Sequence, residues 1–394
     1  MTAGARSVAA KATTITPQNL AEVRDAMLDT AGPLLFCGSG TKLDWGAEPS
    51  SDTSAVISST AMTDLLTYDA PDATVSVQAG MALVDLQRVL AEHNQWLAID
   101  PPHAETGATV GGIFAAGDSG PSRLAYGTMR DLVIGATYVL SDGTIGRTGG
   151  HVIKNVAGYD MAKLLCGSLG TLAFVAELVL RVHPRATASR TLYAPADAAT
   201  AARISAALGA APIEPVAVEW AEQGVWIRLT GHPDAVAAQL DDVRKLLGDD
   251  AQVLADDDER AAWQRLTVAL AGDDNETVVR GACLPTQLPA AADALTRSAQ
   301  EAGVEARLQA HAMLGVVTAR LWGADAQRHA TCVTAWRDRL RTLGGHAVVR
   351  RRLDGADAVD VWGPPPSSIE LMRQVKRRLD PDNRCAPGRF VGGI

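Results

Sequence analysis

The sequence predicts an α+β chain of two domains, and three observations predict it. In the first half, short apolar runs alternate with helical patterns and dense glycine turns. After about residue 185, glycine loops give way to alanine-rich helices with paired strands between them. The length, 394 residues, suits two domains.

The elements follow in order. Thr16 and Pro17 read as an N-cap and first-turn proline opening a helix through Leu20, Val23 and Met27. Pro33–Cys37 is a short buried strand ended by Gly38. Ala55–Ser59 and Thr74–Ala79 are further strands, the second alternating Val75, Val77 and Ala79. Leu83, Leu86, Val89 and Leu90 fall at helical spacing within 82–93. Leu132–Leu140, a Ser141-Asp142-Gly143 turn and Thr144–Thr148 make a hairpin, and Leu172–Val182 is an apolar strand. Beyond it, helices are expected at 197–208, 234–247, 288–302 and 325–343. Strands are expected at 216–220, 225–230, 278–282 and 316–322, which suits an antiparallel sheet with helices on one face. A last helix, 367–379, precedes a coil through Phe390, and no internal repeat is visible. The divisions expected are 1–185, 186–365 and a returning C-terminal segment, 366–394.

Composition excludes several classes. With 47 % hydrophobic and 21 % charged residues the chain can bury large cores. Its net charge of −9 speaks against nucleic-acid binding, which needs basic surface. Cys37, Cys166, Cys283, Cys332 and Cys385 form no C-x-x-C pair, so free thiols are expected rather than a zinc or iron–sulfur site. No apolar run approaches the ~20 residues of a membrane-spanning helix. The chain is read as soluble and cytoplasmic, reaching the inner face of the membrane only through partners.

Chemistry concentrates between Gly38 and Thr171 in four glycine-rich turns: Gly38-Ser-Gly-Thr-Lys42, Ala108–Gly112 continuing to Gly117–Gly120, Lys154–Asp160, and Gly167–Thr171. Such turns let backbone N–H groups converge on an anion, and Lys42 adds charge. A P-loop is excluded because Asp118 stands where its lysine belongs. A Rossmann fingerprint is excluded because Gly38-x-Gly40 continues to Leu43. No G-x-S-x-G elbow appears.

The ordered set GSGTK (38–42), ATVGG (108–112), GDSGPSRLAYGTMRD (117–131), KNVAGYD (154–160) and GSLGTL (167–172) resembles the PCMH-type FAD-binding domain of the vanillyl-alcohol-oxidase superfamily. Within it, the likeness is to the FAD-binding subunit of bacterial glycolate oxidase. The resemblance implies a two-subdomain FAD-binding domain followed by a smaller α+β domain. It implies that Gly38, Ser39, Gly40 and Thr41, with Lys42, wrap the FAD diphosphate. Thr109, Gly111 and Gly112 would continue those contacts toward the flavin ring, and Asp118 and Ser119 would line the same cleft. Asn155, Gly158 and Tyr159 would belong to a loop closing over the cofactor, and Gly170, Thr171 and Val175 would lie on the adenine side.

Three departures qualify it. The first turn has no histidine, so non-covalent FAD is expected; His103 and His151, near these loops, are read as polar or structural. The family's C-terminal Asn-Pro-Gly is Ala386-Pro387-Gly388 here. The His-x-Gly-Asp-Gly-Asn-x-His metal segment of relatives that oxidise 2-hydroxy acids survives only as His311 and Gly315, so no metal is expected. His311 alone reads as a satisfied histidine. Arg280 could meet a carboxylate but reads rather as a strand-end arginine with an acidic neighbour. No residue is assigned a catalytic role.

The resemblance thus implies an FAD-dependent subunit of a glycolate-oxidase-like complex, oxidising a 2-hydroxy acid with a second FAD-containing catalytic subunit and an iron–sulfur subunit. A self-sufficient flavin oxidase or dehydrogenase and a non-catalytic FAD-binding scaffold are the alternatives.

Overall fold

The structure, a computed structural model, describes residues 11–151, 158–248, 250–353 and 359–394. The chain divides into two compact units. Unit 1 takes residues 1–119, 127–185 and 364–394; unit 2 takes 120–126 and 186–363.

Among the described residues unit 1 holds a three-stranded sheet, a five-stranded sheet and a two-stranded pair. In the first, β1 (Thr13–Ile15), β2 (Leu34–Cys37) and β3 (Ala55–Ser58) run parallel in the order β1-β3-β2. Helix α1 (Leu20–Asp29) joins β1 to β2 and buries Val23, Ala26 and Met27 against Leu34, Ile57 and Phe174. Its N-cap is Asn19, whose side chain accepts from the Glu22 N–H. The expected cap at Thr16 is therefore corrected: Asn19 reaches the orphan amide, and Glu22 returns bonds to Gln18 N–H and Asn19 Nδ2.

The second sheet is antiparallel. It contains β4 (Leu65–Asp69) and β5 (Thr74–Gln78). A helix, α2 (Leu83–Ala91), and a two-residue strand, β6 (Gln95–Trp96), precede β7 (Val133–Val139), β8 (Ile145–Gly149) and β9 (Phe174–Arg181). The order is β4-β5-β9-β7-β8, and β10 (His183–Pro184) pairs with β6. In β9, Phe174, Ala176, Leu178 and Leu180 are buried and alternate with half-buried partners, the period-2 pattern of a strand with one covered face. The Thr109–Gly112 stretch, expected as a turn, opens a helix, α3 (Val110–Ala116), capped by Thr109.

Unit 2 is one eight-stranded antiparallel sheet with a repeat the sequence does not display. Its first half runs β11 (Ala188–Pro195), α4 (Ala198–Ala210), β12 (Ala217–Ala221), β13 (Gly224–Gly231), α5 (Pro233–Leu247) and β14 (Gln252–Leu254). Helix α6 (Asp256–Ala269) follows. The second half runs β15 (Thr277–Ala282), α7 (Leu288–Ala302), β16 (Glu305–His311), β17 (Val316–Trp322), α8 (Ala326–Thr342) and β18 (His346–Arg351). Each half is βαββαβ with its strands ordered fourth, first, third, second, and the two join edge to edge through β12 and β16. That seam has two residue pairs, Glu219↔His311 and Trp220↔Ala310.

The strands alternate between two environments. Val225, Ile227 and Leu229 of β13 face the large core shared with α4, α5, α7 and α8. Trp226 packs from the other face against Ala262, Trp263 and Leu266 of α6. The polar end of that contact is satisfied: Ser189 and Thr191 hydroxyls donate to the buried Glu259, and Trp263 Nε1 donates to Thr191 Oγ1 at 2.7 Å. Helices thus cover both faces, where the sequence led us to expect one. No helix among the described residues is long and apolar enough to cross a membrane.

Candidate functional site

The site in unit 1 grows from the end of β2. At Gly38 an added Cβ would lie 2.1 Å from Thr109 Oγ1, so only glycine lets the turn pass the N-terminus of α3. Gly40 takes φ +81°, the left-handed region that glycine occupies without strain. Thr109 Oγ1 accepts from the Gly112 N–H at 3.1 Å. Gly111 lies against Ala79, where a Cβ would meet the Ala79 Cβ at 2.6 Å and its carbonyl oxygen at 2.7 Å. Two β-strand ends and a helix start are thereby drawn together at backbone distance.

Between them lies a cleft. One lobe, enclosing about 460 Å³, is walled by Phe36–Leu43, Thr109, Gly112, Ala115, Ala116, Leu169 and Arg389. A second, about 480 Å³, shares Phe36, Cys37, Gly38, Gly112, Ala115 and Leu169 and extends to Ser168, Gly170 and Val175. Lys42 Nζ stands 3.5 Å from Asp118 Oδ2, both side chains buried. Asp118 would repel a phosphate-bearing ligand if alone; the lysine offsets it. Asp118 Oδ1 accepts from the Ser119 N–H at 2.9 Å, whereas Oδ2 is buried with no hydrogen bond. Burial pushes the Cys37 thiol up to about 11, against the pull of the Arg389 charge.

Most of the predicted residues converge here. Gly38, Ser39, Gly40, Thr41, Lys42, Thr109 and Gly112 wall the first lobe; Gly111, Gly170 and Val175 join the second. Asp118 reaches the cleft through Lys42, and Ser119 is buried beside it. Thr171 lines neither lobe; its hydroxyl donates to Ser168 O and its carbonyl accepts from Lys376 Nζ. Among the described residues Gly158 has no neighbour within 4 Å of a would-be Cβ, Tyr159 is 93 % exposed, and neither lines the two lobes. Asn155 lies outside the described residues.

Sequence reasoning missed Arg389 and Leu169. The only sequence signal for Arg389 is its place after Pro387-Gly388. Leu169, at φ +54°, is a non-glycine residue in the left-handed region, a trait no sequence pattern announces.

Unit 2 carries a separate buried polar cluster on the seam between its halves. His311 Nδ1 pairs with Glu219 Oε1, and Gln309 Nε2 donates to Glu219 Oε2 at 3.1 Å and to Leu266 O at 3.1 Å. Arg280 Nη2 stands 3.3 Å from His311 Nε2. Arginine can only donate, so the neutral imidazole that satisfies both contacts carries its proton on Nδ1, toward Glu219. His311 is thus a satisfied, buried histidine, and it links a buried carboxylate to a half-buried guanidinium. Glu219, unremarked in the sequence, is fully buried. Among the described residues no cluster of three or more His, Cys, Asp or Glu could hold a metal ion.

Known proteins resemble this chain at three levels. Residues 12–149 match the family described as FAD binding domain. The chain is 33 % identical to glycolate oxidase subunit GlcE of Escherichia coli over 58 % of this chain and 63 % of that protein. It is 35 % identical to glycolate oxidase subunit GlcD of Bacillus subtilis over 48 % of this chain and 40 % of that protein. It thus covers less than two thirds of the length of either. It is 30 % identical to a D-lactate dehydrogenase of Archaeoglobus fulgidus over 96 % of this chain and 90 % of that protein. Among solved structures, an alkyldihydroxyacetonephosphate synthase superposes with a TM-score of 0.69 over 96 % of this chain and 77 % of that one; at 17 % identity this is a likeness of fold.

Proposed function

The chain belongs to the family of FAD-linked oxidoreductases, and from that premise we propose that it oxidises a 2-hydroxy acid to the 2-oxo acid as the FAD-carrying subunit of a glycolate-oxidase-like complex. The observation that carries the reading is the glycine-walled cleft of unit 1, lined by Gly38–Lys42, Thr109 and Gly112, where Gly38 and Gly111 let the turn and α3 pack against Thr109 and Ala79 at distances no Cβ would allow. Such a cradle fits a dinucleotide whose diphosphate must approach backbone closely. In this reading Gly38–Lys42, Thr109, Gly111 and Gly112 would hold the FAD, with Asp118 and Ser119 beside them and Gly170 and Val175 at the far lobe.

Bound FAD supplies the hydride acceptor. The chain's own part in unit 1 is to bring the Gly38–Lys42 turn and the start of α3 together through the close contacts of Gly38 and Gly111, and to offset the Asp118 carboxylate with Lys42. The glycolate-oxidase likeness supports a second FAD-containing catalytic subunit and an iron–sulfur subunit as partners that take the electrons onward.

The test is an anaerobic visible spectrum of the purified chain, alone and co-expressed with those partners, before and after adding glycolate or D-lactate. Bleaching of flavin bands is the expected outcome. Flavin bands that no 2-hydroxy acid bleaches in either preparation would sink the proposal. The end-to-end likeness to a D-lactate dehydrogenase favours a second reading, a self-sufficient dehydrogenase. Turnover by the isolated chain with an artificial acceptor would select it.

A further inference from the structure

The C-terminal segment of unit 1 holds the glycine turn from both sides. Upstream of it, Leu34 N–H donates to Arg384 O and Ala386 N–H donates to Leu34 O, with Cys385 bridged in parallel to Leu34 of β2. Downstream, the Arg389 guanidinium donates to the carbonyls of Leu43 at 3.1 Å, Trp45 at 2.6 Å and Ala47 at 3.3 Å. Ala47 N–H returns a bond to Arg389 O at 3.0 Å. Arg389 is 2 % exposed and walls the same lobe as Gly38–Leu43.

A buried guanidinium is costly unless its donors are met, and three carbonyls on one loop meet them in a fork no lysine can reproduce. The arrangement fixes the chain from Leu43 to Ala47, the continuation of the turn. It also fixes a charge. Lys42, the turn's own cation, faces Asp118, whereas the Arg389 charge is felt inside the lobe at the Cys37 thiol.

We propose that Arg389 is a positioning residue for the diphosphate of FAD, holding the Gly38–Lys42 turn in its binding shape and setting a fixed positive charge in the wall beside it. The proposal rests on the FAD reading of the cleft. It concerns a residue some 350 positions away in sequence from the turn it serves.

The experiment is titration of the flavin-free full-length chain with FAD and, separately, with riboflavin, which has the ring but no phosphate, followed by flavin fluorescence. Arg389→Met should bind FAD about ten- to hundredfold more weakly, as expected for loss of charged hydrogen bonds, with riboflavin affinity within about twofold of the parent. Arg389→Lys, which keeps the charge and loses the fork, should fall between. Unchanged FAD affinity in Arg389→Met overturns the proposal. So does an equal loss for both flavins, which is what a merely structural arginine would give. If Arg389→Met does not fold, the parent chain decides: FAD affinity should weaken as salt rises from about 0.05 to 0.5 M while riboflavin affinity stays flat, and a flat FAD response overturns the proposal. A parent chain that binds neither flavin would instead refute the FAD reading on which the proposal rests.

Discussion

A single methyl group measures how tightly the cleft is built. Gly111 donates its N–H to Ala79 O at 2.8 Å and has no space for a Cβ, because the obstacle is backbone and a neighbouring Cβ rather than a flexible side chain. Gly111→Ala should therefore destabilise unit 1 by about 1–3 kcal/mol through overpacking and lower its thermal midpoint, readable by circular dichroism. Among the described residues Gly158→Ala meets no neighbour, leaving the φ of +82° as its cost, so it should be the milder change. At this scale the sequence was legible where signals are local: glycines clustered after a strand announce a backbone that must approach something. It was illegible at Thr171, which sits in the same motif yet faces Ser168 and Lys376, because a motif does not say which of its side chains turn inward.

In unit 2 the two halves share one large core, and their sheets meet at a seam of two residue pairs. The cluster around Glu219 reinforces it, and truncating that carboxylate leaves His311 Nδ1 buried without its acceptor and leaves Gln309 Nε2 only Leu266 O. Glu219→Ala should cost about 1–3 kcal/mol in urea unfolding, and Glu219→Gln, which keeps one acceptor oxygen, less. A double-mutant cycle with His311→Phe should show coupling, since the two residues share one hydrogen bond. Strands such as β13 and β17 were legible because β-branched and apolar residues alternate. Strand β16, with the sequence Glu-Ala-Arg-Leu-Gln-Ala-His, was not, since its outward face is polar and only the fold shows which partners satisfy it. Helix α6 opens with four consecutive acidic residues, Asp256–Glu259, a first-turn signature that was there to be read. The repeat itself left no trace in the sequence because the two halves share topology rather than residues.

For the molecule as a whole, the return of residues 364–394 to unit 1 matters most. Its anchor is a buried pair: Lys376 Nζ donates to Asp380 Oδ2 at 2.6 Å, Thr171 O and Cys385 O. Burial pushes the Asp380 carboxyl up, but the Lys376 bond and charge, with the Arg384 and Cys385 amides, hold it below the ordinary value. A carboxyl lowered in the folded state stabilises above its unfolded value, about 3.9, and that contribution drains away as pH falls through the folded one. Unfolding free energy should thus drop steeply on acidification below about pH 4, and Asp380→Asn should be less stable at neutral pH with a shallower acid limb. The returning helix was legible from its periodicity; its destination rests on contacts between residues hundreds of positions apart, which no local pattern encodes. That destination also sets a timetable for biogenesis. The ribosome releases β2 long before Arg384–Arg389, with all of unit 2 made in between. At 5–20 residues per second the roughly 350 intervening residues take on the order of 20–70 s. Throughout that interval the nascent first sheet carries an open edge beside its glycine turn, a vulnerability a chaperone could shield and one that ends only when Arg384–Ala386 bond to Leu34.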